Sequence, residues 1–246
     1  MKKYKIIIAY DGTDYYGWQI QASHITVAGT LEKSFQEVFG FPITIAGASR
    51  TDAGVHALGQ TASFTTDLPL DPQKIIAAWQ NILPESILIR SIGEVPLEWN
   101  PRHTVEQKTY YYHFFQERPL PFAARYGWYY RYPVDMQKLK EASAIFVGTH
   151  DFRSFCTGDE YESTVRTIDS IDIEYLSRFK AYRIIVKGPG FLRYMIRRIV
   201  GACLEVASRD TLNAVHLIEI LNQKNPEQLL PTAPAKGLLL YKIVYK

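Results

Sequence analysis

Two hydrophobic periods share this chain, and their interleaving constrains its fold more than any other feature. Along Lys2–Tyr10 the side chains of Tyr4, Ile6, Ile8 and Tyr10 fall on one face and Ile7 and Ala9 on the other, the period of a strand. Asp11-Gly12-Thr13-Asp14 then reads as a turn. Over Thr26–Phe39 the spacing changes. Val27, Leu31, Phe35 and Val38/Phe39 recur at helical intervals, with Thr26 placed to cap the start and Gly40 to end it. Gly47–Gly59 follows neither period and is rich in small and polar residues, which predicts a loop. Gln60–Thr65 and Ile87–Ile92 read as strands, and between them Asp71-Pro72 opens a helix through Ile75, Ile76, Trp79 and Leu83.

The second half repeats the mixture. Strands are expected at Thr109–Phe115, Trp128–Tyr132, Val165–Tyr175, Ala181–Lys187 and Leu238–Tyr245, and helices at Asp135–Phe146, Arg193–Ala207 and Thr211–Asn222. Two related halves of α+β architecture follow, with no exact repeat in the letters. Pro96 and Pro101 break any regular pattern in Glu94–Val105, so the linker is expected there, between a half at 1–104 and a half at 105–246.

At 246 residues, 47% of them hydrophobic, the chain is long enough to bury a sizeable core and too apolar for a disordered tail. Its 28 Lys+Arg against 25 Asp+Glu give a net +3, which leaves nucleic acid open as a partner without naming it. Cys156 and Cys203 are too few for a disulfide framework or a cysteine-rich zinc site, and Cys203 is expected as a buried, reduced thiol. The apolar run after the basic N-terminus is too short for a signal core, and none approaches the ~20 residues of a membrane span. A soluble cytoplasmic protein is the expectation.

Common catalytic motifs are absent: no G-x-x-x-x-G-K-[ST], no H-E-x-x-H and no G-x-S-x-G. Lys187-Gly-Pro-Gly reads as a tight turn, because Pro189 removes an amide that a phosphate cradle would use. Asp11 and Asp14 suit a turn better than a metal site.

Three constellations remain. In Gly47-Ala-Ser-Arg50-Thr-Asp52-Ala-Gly54-Val-His56-Ala-Leu-Gly-Gln60, one carboxylate is set among glycines with a guanidinium two residues before it. Arg50 would hold Asp52 ionised, as a nucleophile or base requires. The same letters also describe an ordinary Arg–Asp pair pinning a loop, and His56 reads as structural. The second constellation is basic and aromatic. Lys108-Thr-Tyr110-Tyr-Tyr112-His-Phe-Phe115 and Arg125-Tyr-Gly-Trp-Tyr-Tyr-Arg131-Tyr132 supply rings and positive charge suited to unstacked bases and phosphates, or to packing across strands. The third is Phe191–Gly201. Met195, Ile196, Ile199, Val200 and Cys203 share one helical face, while Arg193, Arg197 and Arg198 cluster on the other beside the bare surface of Gly201.

Taken together, these residues resemble the tRNA pseudouridine synthases of the TruA type. The resemblance runs nearly end to end. It takes in Tyr10-Asp-Gly-Thr-Asp-Tyr-Tyr-Gly-Trp-Gln-Ile-Gln21, the Gly47–Gln60 loop, Lys108-Thr-Tyr110-Tyr-Tyr112, His150-Asp-Phe-Arg-Ser-Phe155, Phe191–Gly201 and Ala233-Pro-Ala-Lys-Gly-Leu-Leu-Leu240. It implies two α/β halves whose mainly antiparallel sheets form a central sheet flanked by helices, with the active site in a basic cleft between them. It implies a cofactor-free, metal-free isomerase that acts as a homodimer on uridines in the 3′ arm of the tRNA anticodon stem-loop. Residue by residue, it implies that Asp52 is the catalytic aspartate, Arg50 its loop partner and Arg197 its charge partner. Tyr110 would stack on the target uracil, and Lys108, Arg193 and Arg198 would contact the substrate. Thr109 and Tyr194 depart from the pattern, standing where many members carry a second basic residue and a histidine. A non-catalytic RNA-binding protein of the same fold is the alternative, and an aspartate-dependent hydrolase unrelated to RNA a third reading.

Overall fold

The computed structural model describes residues 1–69, 71–158 and 161–246. The chain divides into two compact units, Met1–Glu106 with Leu239–Lys246, and Gln107–Leu238.

In the first unit the chain runs through β1 (Lys2–Tyr10), α1 (Val27–Phe39), β2 (Ala46–Gly47), β3 (His56–Thr66), α2 (Pro72–Gln80) and β4 (Ile87–Val95). β1 pairs antiparallel with β3 on one side and β4 on the other. Its alternation is realised: Tyr4, Ile6, Ile8 and Tyr10 are all buried. Both helices start where local chemistry supplies a cap. Thr26 accepts the N–H of Gly29 and Asp71 that of Gln73, while Gly40 closes α1 at φ 82°. The apolar stripe of α1 brings Phe35 edge-on to Phe64 and Trp79, at ring separations of 5.4 and 4.9 Å. Such pairs add about 0.5–1.5 kcal/mol each beyond area burial. The Trp79 indole donates to Ser34 at 2.8 Å, so this dense core leaves that donor satisfied.

The second unit contains β5 (Val105–Phe115) from Gln107 onward, β6 (Trp128–Tyr129), α3 (Met136–Ala144), β7 (Gly148–Asp151), β8 (Val165–Ile168), β9 (Ser170–Leu176), β10 (Ala181–Gly188), α4 (Met195–Ser208) and α5 (Ala214–Gln223). β10 lies antiparallel between β5 and β9, β6 runs parallel to the end of β5, and β7 pairs with β8. Tyr110, Tyr112 and Phe114 are buried on one face of β5, and α3 packs on α4. The expected apolar stripe of α4 is buried throughout. The last strand, β11 (Leu238–Tyr245), pairs parallel with β3 at Leu239–His56 and Leu240–Ala57, so the chain ends in the first unit. This is an α+β fold with mainly antiparallel sheets and flanking helices. Among the described residues no helix is long and apolar enough to cross a membrane.

Several local expectations change: the strand expected at Trp128–Tyr132 covers only Trp128–Tyr129, Val165–Tyr175 divides into β8 and β9, and the helix expected from Thr211 starts at Ala214. The irregular segment predicted over 47–59 ends at Val55, because His56–Gly59 is already strand, and a Cβ on Gly59 would press against the Tyr241 carbonyl. Arg193 precedes α4, whose N-cap Tyr194 adopts a left-handed φ of 63°. Gly201 is not bare surface: the Pro231–Ala233 backbone lies against it.

Candidate active site

Asp52 sits at the turn of an irregular segment between β2 and β3, half-buried, with Arg50 exposed beside it. Backbone groups on both sides of it are tied down. The Ala48 N–H donates to Thr61 O at 2.8 Å, and the Gln60 side chain closes the entry, taking the Ser49 N–H at 3.2 Å and donating to Ser49 O at 2.6 Å. The Thr51 hydroxyl meets the Tyr10 hydroxyl at 2.8 Å inside the core. Past the aspartate, the Val55 N–H turns back to Asp52 O at 3.1 Å and Gly54 adopts φ 77°.

The segment after β1 braces this turn. The Trp18 N–H donates to Thr51 O and the Gly54 N–H to Tyr15 O, both at 3.1 Å. Gly47 lies against the Trp18 indole, and its carbonyl accepts Arg102 Nε at 3.1 Å. A carboxylate on a backbone fixed at both ends is held in a narrow range of positions, which is what proton transfer or nucleophilic attack needs. His56 is buried, accepts the Gly12 N–H on Nδ1 at 3.1 Å and has Asp11 Oδ1 3.1 Å away, the structural role its letters suggest. Asp11 Oδ1 takes both the N–H and the hydroxyl of Thr13, as a turn former does. Among the described residues no group of three His, Cys, Asp or Glu side chains has the geometry of a metal site.

The remaining predicted residues belong to the second unit. Tyr110, on β5 opposite Val186, is buried and meets Phe191 edge-on at 5.4 Å. Lys108, half-buried, faces Gly188 across the same ladder. Arg197 donates from Nε to Ala233 O at 2.8 Å, and its guanidinium carbon lies 4.8 Å from the centre of the Tyr194 ring. Arg193 is exposed and reaches the same ring at 5.4 Å. Arg198 differs. Its Nη1 donates to Ser154 O at 3.3 Å and Cys156 O at 3.0 Å, which turns it onto the protein's own backbone.

Residues 6–103 and 142–246 match the family described as tRNA pseudouridine synthase. The chain is 38% identical over 250 residues to tRNA pseudouridine synthase A of Brevibacillus brevis, covering 100% of both proteins. The enzyme of the same name from Thermodesulfovibrio yellowstonii is 34% identical over 257 residues, again across 100% of both. That of Chlamydia felis is 35% identical over 250 residues, covering 100% of this chain and 92% of the relative. This chain belongs to the tRNA pseudouridine synthase family.

Within a family that isomerises uridine in tRNA, the supporting residues matter as much as the predicted ones. Tyr10, Trp18, Gln60 and Arg102 hold the Asp52 segment, and the carbonyls of Ala233 and Pro234 take hydrogen bonds from Arg197 Nε and the Tyr112 hydroxyl, the latter at 3.0 Å. The motifs Tyr10–Gln21 and Ala233–Leu240 contained most of this support without revealing its purpose. Arg102 lay in a presumed linker, where no local signal marks a hydrogen bond to Gly47.

Proposed function

We propose that this enzyme converts uridine to pseudouridine in the 3′ arm of the tRNA anticodon stem-loop, with Asp52 as the catalytic group. The observation that carries the reading is the braced Asp52 turn: a carboxylate with an exposed arginine two residues before it, on a backbone anchored from both sides. Pairing in the stem hides the target base. Flipping it out costs a few kcal/mol, which stacking and phosphate contacts offset. Tyr110 supplies the stacking surface, with Lys108 and Arg193 as phosphate contacts. Arg198, held on the Ser154 and Cys156 carbonyls, supports the substrate side as a positioning residue.

The chemistry breaks the bond between ribose C1′ and uracil N1, turns the base and joins C1′ to C5. The C5 hydrogen leaves as a proton and N1 gains one, so the isomerisation is redox-neutral and balanced. Asp52 must be ionised to act, and the positive charge of Arg50, two residues before it, favours the anion. The working form is a homodimer, and sedimentation of the purified protein checks that.

Tritium release from tRNA labelled at uridine C5 tests the assignment. Asp52→Asn is expected to lose about 10²-fold or more in rate while still binding the tRNA. Release at the wild-type rate would overturn the role given to Asp52.

A further inference from the structure

The run Tyr15–Trp18 braces the Asp52 turn, and three of its four residues face the protein. Tyr15 and Trp18 are core residues, and a Cβ on Gly17 would stand 3.1 Å from the carbonyl carbon of Asp52. Tyr16 alone turns outward, 54% exposed. It is nonetheless fixed. Its N–H donates to Ile25 O at 2.9 Å and its carbonyl accepts Gln21 Nε2 at 2.8 Å, which ties the loop 16–25 into a closed unit. Across that loop the exposed His24 ring lies 3.9 Å from the Tyr16 ring, tilted by 53°. Ser23 Oγ bonds His24 Nδ1 at 2.8 Å and sets the orientation of the imidazole.

A tyrosine serving only the core would be buried, as its neighbour Tyr15 is. Here the main chain is anchored on both sides so that an aromatic pair can stand in solvent one residue from the backbone that carries Asp52. Exposed Ile20 and Ile25 belong to the same loop, and residues 15–31 contain no carboxylate. Rigid rings, an apolar shoulder and the absence of negative charge fit a nucleobase attached to a phosphate backbone.

We propose that Tyr16 and His24 form a nucleobase platform that stacks an unpaired nucleotide flanking the target uridine. The inference rests on the pseudouridine synthase reading and deepens it, by naming a contact to a base that undergoes no chemistry. Two residues on the loop that holds the aspartate would then set substrate register at the turn itself. They act by stacking, so the tyrosine ring is required and its hydroxyl is not.

The test uses the full chain and a tRNA transcript carrying 2-aminopurine beside the target uridine. Binding to the Asp52→Asn protein is expected to quench the probe. Tyr16→Ala in that background should abolish the quench and weaken binding about 5- to 100-fold, whereas Tyr16→Phe should retain both. In the otherwise wild-type enzyme, Tyr16→Ala should raise KM by a similar factor and leave kcat within about twofold. An unchanged quench and affinity in Tyr16→Ala would overturn the platform, as would equal losses in Tyr16→Ala and Tyr16→Phe. Tritium release by the wild-type enzyme separates the two levels. If that release is absent, the functional reading fails. If it is present and Tyr16→Ala binds normally, only the platform fails.

Discussion

The peptide N–H of Trp18 donates to the carbonyl of Thr51 at 3.1 Å, so the residue before the proposed catalytic aspartate hangs from the segment that follows the first strand. The contact depends on Gly17, at φ +87°, where a Cβ would stand 2.5 Å from the same Thr51 oxygen. Gly17→Ala is therefore expected to destabilise the fold by about 1–3 kcal/mol and to displace the Asp52 turn. Tritium release should fall further than tRNA affinity, since the displaced group is the reacting one. Denaturant unfolding and tRNA titration of the same variant check both. Wild-type turnover at wild-type stability would show that the brace does not position the aspartate.

Arg193 and Arg198 separate into two kinds of arginine. Arg193 is exposed, and in contact with a phosphate it would release a counterion. Arg193→Gln should lower tRNA affinity and reduce the slope of log affinity against log salt by about 1. Arg198 is committed to the carbonyls of Ser154 and Cys156, so Arg198→Gln should cost stability, about 1–3 kcal/mol for the hydrogen bonds of a charged donor, with little change in slope. Equal slope changes in the two variants would put both guanidinium groups on phosphate.

How far such differences were legible follows from the range of the forces involved. Caps and strand faces are local, and several read correctly: Thr26 and Gly40 bound α1, Asp71-Pro72 opens α2, and the Tyr4–Tyr10 alternation lies buried as its period implies, whereas α4 and α5 start after Arg193 and Thr211. Three features depend on chain segments distant in sequence, and periodicity is blind to them. Gly201 looked like open surface until Pro231 covered it, Arg198 was grouped with Arg193 as a substrate contact before the 154–156 carbonyls came within reach, and β11 found its partner in β3. The Asp52 segment lies between these cases. Its composition marked it as special, but its braces at Tyr10, Trp18 and Arg102 come from other elements.

Both cysteines are expected to be inert in the native enzyme. Burial raises the Cys156 thiol above its ordinary range and pushes Cys203 up to about 12, so neither supplies an appreciable thiolate near neutral pH. A disulfide-exchange reagent at pH 8 should titrate essentially no thiol in the folded protein and two after denaturation. Rapid labelling of either residue without loss of structure would contradict the burial.

Alkaline pH offers a measure of two tyrosines, the buried Tyr112 and the half-buried Tyr245. Burial raises the Tyr112 hydroxyl well above the ordinary 10.0, opposed in small part by the Arg197 charge, and pushes Tyr245 up to about 12, opposed by Thr61. Both donate to backbone carbonyls, Tyr112 to Pro234 at 3.0 Å and Tyr245 to Pro101 at 2.8 Å. The unfolded chain loses these protons from pH 10 upward while the folded chain keeps them. Their contribution is thus fully present below pH 10 and is lost as pH rises toward the folded values, by up to about 1.4 kcal/mol per pH unit for Tyr112 and by less for Tyr245, whose partial exposure lets solvent screen it. Tyr112→Phe and Tyr245→Phe should each cost about 1 kcal/mol at pH 8 through the lost hydrogen bond. Each should also flatten the decline in unfolding free energy between pH 10 and 11.5, because a phenylalanine has no proton to lose. Denaturant melts across that range decide it, and a decline in the double variant as steep as in the wild type would mean that neither hydroxyl is held as the structure holds it.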